Sequence, residues 1–84
     1  MKLVLDLHDI AHSGAAIERA LLGVMAEARA KKAPLVEIIP GKGSGALKKT
    51  VLRFLERPEV RSQYQRVQKD SKNHGRLFVH FRWH

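Results

Sequence analysis

Cysteine is absent from the 84 residues, so neither a disulfide framework nor a thiolate metal site can brace so small a fold, and hydrophobic packing must hold it. Long apolar runs are absent too. The run Leu3 to Leu7 is broken by Asp6 and followed by His8, far short of a signal-peptide core or the ~20 residues that cross a bilayer. The expectation is a cytoplasmic protein with no membrane partner. Aromatics are few, and Phe54, Phe81 and Trp83 recur at regular helix or strand spacing, which marks core positions rather than base-stacking platforms; Tyr64 has the best prospect of exposure. No repeat or low-complexity tract interrupts the chain.

Acids are also scarce: 8 Asp and Glu face 16 Lys and Arg, a net charge of +8. The excess is unevenly placed. Residues 1–40 hold five bases and five acids, whereas residues 41–84 hold eleven bases and three acids, a balance of 0 against +8. A localised positive field attracts polyanions, and each neutralised phosphate releases counterions, so nucleic acid is the leading partner class. The bland alternative is a solubilising surface. With 44% hydrophobic residues in a chain of this length, the composition is that of one globular domain over 1–84, expected as a monomer.

Leu3, Leu5 and Leu7 alternate with Val4, Asp6 and His8, the period of a strand, which predicts that Asp6 and His8 project from one face. Ser13 then caps a helix with an apolar stripe at Ile17, Leu21, Val24 and Ala28, ending near Lys31 before Pro34. Leu35 to Ile39 reads as a mostly buried parallel strand despite Glu37. A glycine loop follows, and Leu47, Val51, Phe54 and Leu55 mark a second amphipathic helix that closes before Pro58. Ser62 to Lys69 suits an edge strand around Tyr64, Arg66 and Val67, with a turn at 72–75. The last segment alternates Leu77, Val79, Phe81 and Trp83 against Phe78, His80 and Arg82. The order is βαβαββ. Right-handed crossovers make it an α+β two-layer sandwich, with both helices on one side of a four-stranded mixed sheet and the other face partly open.

In open α/β sheets ligands gather at the carboxyl ends of parallel strands. Asp6 and His8 close the first strand. Gly41-Lys42-Gly43-Ser44-Gly45 closes the second, so the two features are expected to share a crevice. The three glycines allow positive φ and close backbone approach, and the second helix adds the positive end of its dipole, a combination suited to a phosphate. Lys42 adds a mobile charge and Ser44 a cap or hydroxyl contact, while Lys48, Lys49 and Arg53 carry a basic stripe along the helix. The loop matches neither GxxxxGK[ST] nor a dinucleotide fingerprint after a first strand. Read more plainly, it is a tight turn that lets the helix pack.

Asp6 and His8 could be a nuclease pair, the carboxylate orienting the imidazole or holding a metal while the imidazole moves a proton; His8 could equally be a strand-end histidine in solvent. His12, His74 and His80 are poorer candidates, and no histidine spacing makes a metal site.

Leu5-Asp6-Leu7-His8, followed by a helix and then Ile38-Ile39-Pro40-Gly41-Lys42-Gly43-Ser44-Gly45-Ala46-Leu47, resembles the small MutS-related (Smr) domain family, whose two motifs read LDLHG and HGKGxGxL. The resemblance covers almost the whole chain. It implies a fold similar to the C-terminal domain of bacterial initiation factor three, and nucleic-acid binding, often with nicking or endonuclease activity on DNA or RNA, with Mg²⁺ or Mn²⁺ admitted as cofactor and no organic one. It puts Asp6 and His8 on the family's acidic and imidazole positions, and Gly41, Lys42, Gly43 and Gly45 on its glycine loop. Three positions depart: Asp9 stands where glycine is usual, Pro40 where histidine or threonine is usual, and His74-Gly75-Arg76 replaces a more glycine-rich loop. Proline there removes a side chain and a backbone donor. Three readings stand: a nicking domain, a binding module without chemistry for branched nucleic acid or ribosomal RNA, and a protein-interaction domain using the open sheet face around Phe78.

Overall fold

The computed structural model describes residues 1–10, 13–40, 46–69 and 76–83. Its elements are β1 (Lys2–Asp6), a 3₁₀ turn (His8–Ile10), α1 (Gly14–Lys31), β2 (Leu35–Ile39), α2 (Ala46–Glu56), α3 (Pro58–Arg61), β3 (Arg66–Lys69) and β4 (Leu77–His80). The strands form one sheet in the order β1-β2-β4-β3. β1 runs parallel to β2, whereas β4 is antiparallel to both β2 and β3. This is the expected βαβαββ mixed sheet, with one short helix added.

Sequence alternation explains the two faces. Leu3, Val36 and Val79 share one row across the sheet, and Leu5, Ile38 and Leu77 the next. These side chains point to the helix layer, where they join Leu21, Val24, Met25 and Ala28 of α1 and Val51, Phe54 and Leu55 of α2 in a single core. α1 begins where Ser13 Oγ accepts the Ala16 N–H at 3.2 Å, satisfying one of the four unpaired amides of a helix start. It ends at Lys32 in the left-handed region (φ 52°), where the Ala33 N–H reaches back to the Ala28 carbonyl at 2.9 Å and turns the chain toward β2.

The second face has no described helix over it. Val4 there is 55% exposed, yet Glu37, its neighbour on β2, is only 5% exposed. Burial of that carboxylate is possible because it is paired twice, to Lys2 Nζ at 3.1 Å and Arg76 Nη1 at 2.9 Å, as a charge removed from water requires.

The structure corrects the sequence reading at four places. β1 stops at Asp6, and His8 enters the 3₁₀ turn, so Asp6 and His8 do not extend one strand face. Residues 58–61 form α3 rather than leading directly into a strand, with Pro58 in the first turn and Val60 buried, and β3 is correspondingly short. Tyr64 is buried at 9% exposure; its hydroxyl donates to the Leu55 carbonyl at 2.6 Å, satisfying both a buried phenol and a helix-end acceptor. β4 ends at His80, although its alternation continues: the Phe81 N–H donates to the Pro34 carbonyl at 3.0 Å and Trp83 Nε1 to the Ala33 carbonyl at 2.7 Å.

Candidate nucleic-acid interface

The carboxyl ends of β1 and β2 lie side by side. Asp6 is in register with Ile39, and the ladder continues one residue further, the Leu7 N–H donating to the Ile39 carbonyl at 2.9 Å. Leu7 is fully buried and anchors this end. Asp6 and His8 flank it in sequence, and both are exposed. Pro40 is buried beside them, and α2 begins at Ala46. Ile39 and Pro40, the last described residues before the glycine loop, thus stand beside the end of β1; Gly41, Lys42, Gly43, Ser44 and Gly45 themselves lie outside the described residues, as do His12 and His74.

The chemistry of the first motif is local. Asp6 Oδ1 accepts the backbone N–H of His8 at 2.9 Å, a side-chain cap that bends the chain out of the strand into the 3₁₀ turn. The carboxylate near the imidazole is instead that of Asp9, with His8 Nδ1 and Asp9 Oδ1 3.2 Å apart. Asp6 therefore orients His8 through its backbone, and Asp9 contacts the ring. Sequence reasoning treated Asp9 as a departure from a glycine position and missed this role. The available signal was a carboxylate directly following a histidine that itself lies two residues beyond a capping aspartate. The side chains of His8 and Asp9 are 74% and 95% exposed, so the pair is open to a macromolecular ligand and to solvent screening.

Along α2, Lys49 and Arg53 are exposed and four residues apart, which stacks them on one outward face. Like charges at this spacing are mildly unfavourable for an isolated helix; neither makes an ion pair with the described residues. Lys48 is half-buried, one flank away. At the far end of α2 the basic surplus is spent on structure: Arg57 pairs with Glu18 at 2.6 Å and its guanidinium lies 5.2 Å from the Phe54 ring centre. Among the described residues no group of three or more His, Cys, Asp or Glu side chains could hold a metal ion, and no helix is long and apolar enough to cross a membrane.

The model of the Smr domain family matches residues 5–82. The chain belongs to the Smr domain family. Among solved structures, it is similar to the Smr domain of Thermus thermophilus MutS2, at 21% identity over 96% of each chain, with a TM-score of 0.74. No curated protein matches it in sequence. The structural likeness shows that this Smr domain shares the fold of that neighbour, and the family match spans both motifs, from Leu5 through the glycine loop to Arg82.

Proposed function

We propose that this Smr domain binds nucleic acid by its phosphate backbone and nicks it at the carboxyl ends of β1 and β2. The observation that carries the reading is an exposed imidazole–carboxylate pair, His8 and Asp9, just past the carboxyl end of β1 and beside Ile39 and Pro40 at the carboxyl end of β2. Loop amides, Lys42 and the start of α2 hold a phosphodiester, while Lys49 and Arg53 contact neighbouring phosphates. With its Nδ1 facing Asp9, His8 directs Nε2 toward substrate and takes the proton of an attacking water. The new P–O bond forms as the bond to the leaving oxygen breaks, and that oxygen recovers a proton from solvent or imidazolium. Asp6 is a positioning residue, since it holds the His8 amide and not the ring.

The test incubates supercoiled plasmid and structured RNA with the protein in Mg²⁺, Mn²⁺ or chelator, beside His8→Ala, Asp9→Asn and Asp6→Asn. His8→Ala should lower nicking by about 10²–10⁴-fold while binding persists. Nicking unchanged in both His8→Ala and Asp9→Asn would eliminate this pair as the centre.

A second reading, binding without cleavage, draws on two features. Pro40 removes a polar side chain and a backbone donor beside the loop, and the high exposure of His8 and Asp9 leaves the pair in water, where electrostatic stabilisation is weak. Binding with no nicking in any metal condition selects this reading.

A further inference from the structure

A second basic feature lies away from the carboxyl-end site. A cleft of about 300 Å³ opens between α2 and the edge strand β3, bordered on the helix by Leu52, Leu55 and Glu56 and on the other side by Arg61, Arg66 and Lys69 over Tyr64. Three cations border it against one carboxylate. Arg61 is held in place: its guanidinium stacks 4.9 Å from the Tyr64 ring centre, and Nη1 donates to the Tyr64 carbonyl at 3.1 Å. Tyr64 is itself fixed through its hydroxyl to Leu55. A guanidinium immobilised on an aromatic plane keeps further N–H donors for a ligand and loses little side-chain entropy on binding it, the situation in which arginine best grips phosphate.

The flanking positions fit the same chemistry. Lys69 pairs with Leu77 and Arg66 with His80, so alternation sets them on opposite faces of β3. The strand therefore carries positive charge on both sides. Among the described residues β3 pairs with β4 alone, which makes it an edge strand of the kind that presents backbone donors as well as side chains.

The helical wall of the cleft also runs back along α2 toward its start. Lys48, Leu52 and Leu55 follow one flank of α2 at spacings of four and three, so the wall of the cleft leads back to the N-terminal end of the helix. From residue 48 to residue 56 is about 12 Å of helix, the axial rise of roughly three to four nucleotides in a duplex strand.

We infer that the α2–β3 cleft, through Arg61, Arg66 and Lys69, binds the continuation of the nucleic-acid backbone whose phosphate is held at the carboxyl ends of β1 and β2. The inference rests on the proposed function and adds to it a second anchoring point, a few nucleotides from the first. Tyr64 serves it as a buried platform and does not stack on bases.

The experiment measures binding of the whole chain to fluorescent DNA and RNA oligonucleotides of increasing length at several salt concentrations. It compares the unmodified chain with Arg66→Ala/Lys69→Ala, Lys49→Ala/Arg53→Ala and, as a control on α1, Arg29→Ala. All five side chains are exposed, and circular dichroism confirms folding. The cleft double variant should bind long oligonucleotides roughly tenfold more weakly. Its log K against log salt slope should be shallower by about two units, one per lost phosphate contact. For the shortest oligonucleotides, which occupy only the first site, it should match the unmodified chain. Arg29→Ala should match at every length. If Lys49→Ala/Arg53→Ala weakens binding and the cleft variant leaves affinity and slope unchanged at every length, the cleft inference is overturned and the proposed function stands. If the unmodified chain binds no oligonucleotide, both are overturned.

Discussion

Glu37 and Ile38 are consecutive residues of β2, and both are almost fully buried, yet they are buried by different means. Ile38 faces the helix layer, where α1 and α2 seal it with carbon. Glu37 faces the open side, where two half-exposed cations close over it. The first kind of burial draws on apolar area removed from water and is insensitive to charge. The second succeeds only while the carboxylate has partners. One strand thus stabilises the fold by dry packing on one face and by pairing on the other.

The difference can be broken most forcefully from the dry side. Ile38→Ala should cost about 2–5 kcal/mol, because its surroundings relax only partly around the cavity; denaturant unfolding checks this, and a loss under 1 kcal/mol would mean that the helix layer collapses onto the gap. Glu37→Ala should cost less, about 1–3 kcal/mol, since Lys2 and Arg76 are half-exposed and can return to water. Glu37→Met should recover most of that loss, as apolar replacement of a buried ion often does. If it is as damaging as Glu37→Ala, the pairing itself, not the filling of space, holds the open face together. Within the helix layer, Tyr64→Phe should cost about 1 kcal/mol by leaving the Leu55 carbonyl without its donor, measurable as a lowered Tm.

The smallest effect belongs to His80 on the open face, whose ring lies 3.0 Å from Gln68 Oε1. Burial, reinforced by the Arg66 charge, lowers its pKa below the ordinary 6.5. The folded chain therefore takes up this proton less readily than the unfolded chain. Its contribution is complete above pH 6.5 and is lost as pH falls from there toward the lowered folded value. A stability profile from pH 7 to 5 should slope gently downward, and His80→Gln should flatten it; an unaltered slope would show that other groups set it.

The faces of β1 and β4 were legible because each rests on a two-residue period that a strand must show, with Leu3, Leu5, Leu77 and Val79 on the covered side; β2 was legible only as a mostly buried apolar run, in which Glu37 gave no sign of its two partners. Ser13 and Pro34 likewise announced the limits of α1. The short helix α3 escaped because Val60 is its single buried residue, and one apolar position has no period. Tyr64 was misjudged because its decisive partner, the Leu55 carbonyl, lies nine residues away across a turn that the sequence does not display. At the site, residue types pointed to Asp6 and His8, but the pairing of the imidazole with Asp9 depends on how the Asp6 cap bends the backbone, a geometric fact with no periodic trace.

The strand order carries a consequence for how the sheet is completed. β4, the last of the described strands, sits between β2 and β3, so a nascent chain that has emerged only as far as residue 69 can pair β1 with β2 while β3 lacks the strand it pairs with. Cooperative closure must wait for residues 77–80 to become available. A deletion of those residues would remove the middle of the sheet rather than its rim, leaving two fragments that chaperones and proteases would meet as an unfinished protein.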